Sequence, residues 1–334
     1  MQDGQTEIYE IAIVGAGPAG LSAALYAARF CRSTLVLHDG KARASRIAKT
    51  YNVTGFDEGI TGPDLVERMT NHAEQYGAQL VEATVATAVR IDGVFVLTSA
   101  DGETWRAKSL ILATGIILNQ IALDEATHEA AIANDVLRYC PVCDGYEHRG
   151  KRIAVVGCDI SGAGEALFLR QFSDDITLLP KACAELTAKE VSDLAAAGVE
   201  TITAPITRYT PQADCMEICV EGQAEPLRFD VLYPALGVTP RCELADCFSL
   251  PLNDCGNTDP ASPFGTPVPG LFCAGDLVEG LDQVTVAIGH GAVAATKAHN
   301  WLRDQAGETV EAVLFNPVFQ PVRRLRRSMH RLAD

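Results

Sequence analysis

The sequence has no uninterrupted apolar run of the ~18 residues that a transmembrane helix needs. Its opening stretch, Met1–Glu10, is polar and acidic rather than signal-like. No membrane span is expected, and a reducing cytoplasm is the expected compartment. Positive charge is scarce: 27 lysines and arginines stand against 43 aspartates and glutamates, a formal net charge of −16. Such a chain repels phosphate backbones, which argues against nucleic acid as a partner. A paired cysteine framework is also missing. Eleven cysteines, an odd number, are scattered over 334 residues, unlike a small secreted disulfide scaffold.

What is present is an apolar fraction of 48% beside 21% charged residues, enough for sizeable cores and against whole-chain disorder. The length favours about two domains. Residues 9–30 read as strand, tight turn and helix. The apolar run Ile11–Val14 leads into Gly15-Ala16-Gly17-Pro18-Ala19-Gly20, then the helix-forming Leu21–Arg29. A second strand, Thr34–Leu37, ends at His38-Asp39. In a dinucleotide fingerprint Gly15 permits the turn, Gly17 admits a pyrophosphate, and Gly20 allows close helix–strand packing. Asp39 is placed to meet ribose hydroxyls. Two further buried strands end in small residues, at Ser109–Gly115 and Leu271–Asp276.

Between them lies a second unit of the same kind. Arg152–Val156 reads as a strand, Gly157-Cys158-Asp159-Ile160-Ser161-Gly162 as the turn, Ala163–Phe172 as the helix and Ile176–Leu179 as the next strand. The expected fold is α/β, with two nested Rossmann-like, three-layer nucleotide-binding domains. One is discontinuous, residues 1–117 plus 245–315, and 118–244 is inserted into it. Residues 316–334 form a basic tail in which Val322, Leu325, Met329 and Leu332 have helical spacing among arginines 323, 324, 326, 327 and 331. A helix packed on the protein's own acidic surface, or a frayed end, is the plainer reading of that tail; docking onto a partner is the sharper one.

Cys140-Pro141-Val142-Cys143 is the chemical centre. Beside βαβ units, Cys-x-x-Cys reads as a redox dithiol. Zinc would need about four ligands, and neither a second Cys-x-x-Cys nor a closely spaced histidine pair exists, so no metal is expected. The other nine cysteines, at 31, 158, 183, 215, 219, 242, 247, 255 and 273, are read as ordinary core residues.

With these motifs in place the chain resembles the low-molecular-weight thioredoxin reductases, a class II pyridine nucleotide-disulfide oxidoreductase group. Cys140–Cys143 with Asp144-Gly145 matches that family's dithiol segment, and Gly15–Gly20 its FAD pyrophosphate loop. Gly62-Pro63-Asp64-Leu65, Ala113-Thr114-Gly115 and Gly275-Asp276 match further motifs, and Gln283 to Ala287 stands where the family meets the isoalloxazine. The resemblance implies FAD held by Gly15, Gly17, Pro18, Ala19, Gly20, Asp39, Gly40, Arg43, Asn52, Ala113, Thr114, Gly115, Gly275, Asp276, Gln283, Val284 and Ala287. It implies that electrons pass from reduced FAD to a Cys140–Cys143 disulfide and on to a thioredoxin-like protein or small disulfide. Cys143 would lie nearest the flavin, Cys140 would be the interchange thiol, and Asp144 the acid/base group. A turn-former before Gly145 is the bland reading of Asp144. A homodimer, and rotation of the insert about linkers near residues 117 and 244, are implied as well.

Three departures concern the electron donor. The family's second loop has a middle glycine where this chain has Asp159. A carboxylate ~4 Å from a phosphate costs about 4 kcal/mol at an effective dielectric of ~20. The family's His-Arg-Arg grip on a 2′-phosphate is replaced by Pro180-Lys181-Ala182-Cys183, which leaves Lys181 as the lone cation. Gly157, Asp159, Ser161, Gly162 and Lys181 therefore read as a degenerate second nucleotide site in which NADPH is doubtful. Lys41-Ala42-Arg43-Ala44 replaces the family's Gly-Gly-Gln-Leu, and Asp39 with Arg43 is closer to atypical members. Those members include ferredoxin-linked proteins, diflavin-linked proteins with a second flavin in the inserted domain, and proteins with no known donor. The leading expectation is a disulfide oxidoreductase with a donor other than NADPH. An ordinary NADPH-dependent thioredoxin reductase, an oxygen-using dithiol oxidase and a non-catalytic flavin redox sensor switched by the tail are the alternatives. Asp144, where related oxidases carry histidine, tilts against the oxidase.

Overall fold

The computed structural model describes residues 7–157, 160–180, 186–258 and 265–308. Asp159, Lys181, Cys158, Cys183 and the basic tail lie outside them. The first half is built on strands β1 (Ile8–Val14), β2 (Thr34–His38), β3 (Gln79–Glu82), β4 (Val85–Ile91), β5 (Val94–Ser99) and β6 (Thr104–Leu112). After β7 (Ile116–Leu118) the second half carries β8 (Ile153–Val156), β9 (Ile176–Leu179), β10 (Glu200–Thr201), β11 (Ile206–Pro211), β12 (Met216–Val220), β13 (Leu227–Phe229) and β14 (Val231–Pro234). The chain returns through β15 (Val238–Pro240) and reaches β16 (Leu271–Cys273). The helices are α1 (Pro18–Arg29), α2 (Gly62–Gln75), α3 (Glu125–Ala133), α4 (Pro141–Asp144), α5 (Ile160–Leu169), α6 (Ala188–Ala196), α7 (Glu243–Asp246) and α8 (Val284–Gln305).

In the first sheet β3, β2, β1, β6 and β16 run parallel. Residues 110–112 of β6 take β16 as neighbour, while 104–107 of the same strand pair antiparallel with β5, so the β4–β5 hairpin splits away. Side chains alternate across this sheet. Ile11, Ile13, Val36 and Ile111 face a helical layer rich in alanine, α1 and α8. Ala12, Val14, Leu35, Leu37, Leu110 and Leu112 face the hairpin and α7. Both faces are covered, which is why these strands read as continuous apolar runs rather than alternating ones. The α1–α8 contact is unusually close. A Cβ on Gly291 would lie 2.0 Å from the Ala19 carbonyl oxygen, so α8 can pack there only as glycine.

The second half repeats the plan at smaller scale. Parallel β10-β9-β8-β14 puts Ile153, Val155 and Val231 towards α5 and α6, and Ala154, Val156 and Leu232 towards α3 and the antiparallel β11–β13 sheet. The chain crosses between the halves at β7 and β15, which pair antiparallel at Ile116↔Pro240, Ile117↔Thr239 and Leu118↔Val238. Among the described residues no helix is long and apolar enough to cross a membrane.

Two helix starts differ from the sequence expectation, for one reason. α1 begins at Pro18 rather than Leu21, and α5 at Ile160 rather than Ala163. Gly20 and Gly162 must already lie inside their helices to pack on Gly15 and Gly157 at the strand ends. The reading of nine core cysteines is also corrected. Cys215 and Cys273 are buried, but Cys31, Cys247 and Cys255 are exposed and Cys219 and Cys242 half-buried. Cys31, Cys242, Cys247 and Cys255 lie in turns or at helix ends, and Cys219 lies on the less buried face of β12, where alternate residues point away from the core.

Candidate functional site

The loop between β1 and α1 is shaped by glycine. Gly15 has φ +111°, and a Cβ there would meet the Ala113 carbonyl oxygen at 2.2 Å. A Cβ on Gly20 would meet the Gly15 oxygen at 1.8 Å. Gly17 is different: nothing lies within 4 Å of its Cβ position. It caps α1 without a side-chain hydrogen bond, Pro18 opens the helix, and its first turn holds no acid. A helix N-terminus whose capping residue faces open space and whose first turn carries no acid suits a pyrophosphate. The residues thus fit the dinucleotide that the fingerprint implies.

Around this loop the other expected residues assemble. Gly275, at φ +73°, abuts Ala19, and Asp276 beside it takes an ion pair from Arg43 at 2.5 Å. Asp39 and Arg43 do not pair with each other. Asp39 accepts from the Lys41 amide at 2.9 Å and pairs with Arg241 at 3.1 Å. Burial opposes its ionisation, yet these two donors hold its carboxyl below the usual range. Arg241 is fixed by the Ala113–Gly115 turn: its N–H donates to the Gly115 oxygen, and its carbonyl accepts from the Thr114 hydroxyl at 2.7 Å.

The dithiol segment forms one helical turn. Cys140 caps α4 and Pro141 opens it, so the turn is pre-set by the fixed proline φ. Cys140 and Cys143 are joined as a disulfide. Gly145 follows because a Cβ there would strike the Pro141 oxygen at 2.6 Å and the Phe172 ring at 2.8 Å. Residues of the first half reach this disulfide. Gln283, the cap of α8, places Nε2 3.4 Å from Cys140 Sγ and 3.5 Å from Cys143 Sγ. Asn52 donates to Gln283 Oε1 at 3.0 Å and accepts from the Thr50 hydroxyl at 2.8 Å. A second junction contact runs from Arg46 to Glu129 and His128 on α3.

Two carboxyls here are perturbed upward. Asp144 is raised by burial, against the pull of Tyr233, Arg138 and His148. Asp282, next to Gln283, is pushed up to about 6 by burial first and by Asp276 second, against Arg43. The native state therefore keeps a proton on Asp282 that an unfolded aspartate loses near pH ~4. Stability falls as pH rises through that interval, because the native state binds more protons than the unfolded one. Asp282→Asn is expected to raise the urea midpoint at about pH 7 and to change it little at about pH 4. Equal gains at both pH values would contradict the assignment.

The second fingerprint keeps the glycines that packing demands. A Cβ on Gly157 would lie 2.9 Å from the Ala235 oxygen, and one on Gly162 2.9 Å from Gly157. Ser161 sits in the first turn of α5. Asp159 and Lys181 lie outside the described residues. Sequence reasoning missed Arg241, Thr50, Tyr233, His148 and Arg138. The available signal was Tyr233 itself, a phenol in an otherwise apolar buried strand, which needs a partner for its hydroxyl.

Two nucleotide-type folds with a disulfide at their junction define a dinucleotide-linked disulfide oxidoreductase. The chain belongs to the pyridine nucleotide-disulphide oxidoreductase family, whose model matches residues 9–291. It is similar to a thioredoxin reductase of Streptomyces clavuligerus, 30% identical over 318 residues, covering 89% of this chain and 95% of that protein. It is also 30% identical over 327 residues to a bifunctional thioredoxin reductase/thioredoxin of Mycobacterium leprae, covering 90% of this chain and 67% of that protein. The crystal structure of thioredoxin reductase from Streptococcus pyogenes superposes with a TM-score of 0.82 at 25% identity, covering 90% of this chain and all of that one. The enzyme is thus an oxidoreductase of the thioredoxin-reductase-like kind.

Proposed function

We infer that this enzyme passes electron pairs through Cys140 and Cys143 to a thioredoxin-like protein or small disulfide, using FAD and a donor other than NADPH. The observation that carries the reading is the disulfide lying against Gln283 and, through it, Asn52, two residues of the half that bears the open Gly17 loop. FAD, when bound, supplies the electron pair that opens the S–S bond. Gly15, Gly17, Pro18, Ala19 and Gly20 would take its pyrophosphate. Asp39, Gly40, Arg43, Ala113, Thr114, Gly115, Gly275 and Asp276 would line the rest of the cofactor. Asn52, Gln283, Val284 and Ala287 would border its ring system. Gln283 holds the two sulfurs in place, and Asp144 provides a proton for the thiolate that forms. The Mycobacterium leprae relative, named as both reductase and thioredoxin, supports a thioredoxin-like acceptor.

The donor reading rests on which glycines survive in the second loop. Gly157 and Gly162 have a packing reason that holds with or without a nucleotide. The middle position, where only close pyrophosphate approach calls for glycine, carries Asp159. A ferredoxin-type protein is one candidate donor, and a second flavin in that pocket is another. Anaerobic titration of the yellow protein tests this. The flavin band should bleach with dithionite but not with micromolar NADPH or NADH. Rapid bleaching by NADPH would overturn the donor assignment, and a flavin count above one per chain after denaturation would place a second flavin in the inserted domain.

A further inference from the structure

The two halves of the chain share no hydrophobic core among the described residues. Two apolar clusters pack residues 121–236, and the other three pack only residues before β7 or after β15. The chain crosses between the halves at β7 and β15, strands of three residues each. A junction of that kind is soft, since domains that lack a large apolar interface move relative to one another. Yet the disulfide lies against Gln283 of the first half, with Nε2 at 3.4 and 3.5 Å from the two sulfurs. Sulfur is a weak acceptor, so that contact alone is a poor anchor.

A stronger hold comes from Arg46. It ends a single 3-10 turn, Arg43–Arg46, that is seated on the start of α2. A Cβ on Gly62 would lie 1.8 Å from the Ala44 oxygen, and the Gly62 N–H donates to the Ile47 oxygen at 2.8 Å. From this fixed base the guanidinium crosses to three residues of the second half. It pairs with Glu129 on α3, its Nη2 lies 3.1 Å from His128 Nδ1, and the Gln120 amide oxygen accepts from Nη1 at 2.9 Å. His128 is 1% exposed, and its Nε2 is 2.7 Å from the hydroxyl of Tyr139, the residue before Cys140. Arg46 holds the Glu129 carboxyl below its usual range, so the pair is charged at neutral pH. An ordinary surface ion pair has one partner and mobile side chains. Here the planar fork of the guanidinium is met by three groups, one of them buried.

We propose that Arg46 is a positioning residue: by clasping Gln120, His128 and Glu129 it sets the second half in the orientation that lays Cys140–Cys143 against Gln283. This rests on the reading of these cysteines as the working dithiol. Loosening the clasp leaves each half folded, because each keeps its own core. It raises the fraction of molecules whose sulfurs stand away from the first half. The Arg46 side chain is 35% exposed and that of Glu129 42%, so salt screens the pair, whereas the Gln283 contact with sulfur carries no ion pair to screen.

The test is the access of a bulky reagent to the reduced dithiol. Free thiols of the oxidised holoenzyme are capped first, the disulfide is reduced in the absence of air, and a polymer-bearing maleimide is compared with iodoacetamide. Arg46→Gln and Glu129→Gln are each expected to speed the bulky reagent about 5-fold, the reach of one partly exposed ion pair with its hydrogen bonds, and the small reagent less. High salt should speed wild type towards the variants and leave the variants unchanged. Arg46→Glu combined with Glu129→Arg should return towards the wild-type rate. Both single variants at the wild-type rate would overturn the proposal. Fast single variants, with no slowing in the exchanged pair and no salt effect on wild type, would overturn it too and leave Arg46 as a prop of its own turn. Retained flavin and far-UV dichroism report the fold of each variant. No turnover is read, so a different donor or acceptor leaves these rates untouched, whereas serine variants of Cys140 and Cys143 test the dithiol itself.

Discussion

Gly20→Ala is expected to yield a colourless protein, whereas Gly17→Ala should fold normally and bind flavin weakly. The two glycines sit three residues apart and fail for opposite reasons. A Cβ at Gly20 would stand 1.8 Å from the Gly15 oxygen and 2.9 Å from its carbonyl carbon, both backbone atoms that cannot rotate aside. The start of α1 must swing away from β1, at a cost of about 1–3 kcal/mol in stability, and the loop loses its shape. At Gly17 the same carbon meets nothing within 4 Å, and the backbone there, φ −78° and ψ −179°, suits any residue. Its denaturation midpoint should match wild type within about 0.5 kcal/mol, as at an ordinary surface site. Only the ligand would meet the new methyl. Flavin per chain after gel filtration, beside a urea curve, checks both. A yellow Gly20→Ala protein, or a Gly17→Ala protein with unchanged flavin affinity, would refute the cradle.

Cys143→Ser is the second large effect. The variant should keep its flavin, bleach normally with dithionite, and show no turnover of a disulfide substrate. Neither cysteine can be spared, since opening and closing an S–S bond needs both a nucleophilic thiolate and a leaving thiolate. Wild type should gain two alkylatable thiols after brief dithiol treatment, and Cys140→Ser and Cys143→Ser none. Mass spectrometry of the peptide spanning residues 140–143 locates them despite the exposed thiols of Cys31, Cys247 and Cys255. Residual turnover in either variant within tenfold of wild type would mean that another thiol carries the exchange.

The parts of this enzyme legible in its sequence share one property, a signal confined to a short window. Gly15 at φ +111° between an apolar run and a helix is a local backbone requirement. The doubly covered strands announce themselves as runs such as Ile11–Val14 and Ile153–Val156. Cys140-Pro141-Val142-Cys143 is one helical turn with its own cap. Helix starts were less legible, because Pro18 and Ile160 begin helices for the sake of glycines that pack onto strand ends. Cysteine burial was not legible at all, since hydrophobic character alone does not place Cys31 or Cys247 inside.

By itself, then, the sequence determined the two nucleotide-type units, the glycine loop after the first strand and the Cys-x-x-Cys turn, all of which depend on backbone freedom and spacing within a few residues. Tertiary structure alone decided what surrounds the sulfurs. Gln283 reaches Cys143 across 140 positions, Tyr233 reaches Asp144 across 89, and Arg241 reaches Asp39 across 202. Hydrogen bonds of that kind depend on how two sheets and the β7–β15 crossing set side chains against one another. No periodicity or local propensity encodes that placement, because it follows from the packing of both halves at once.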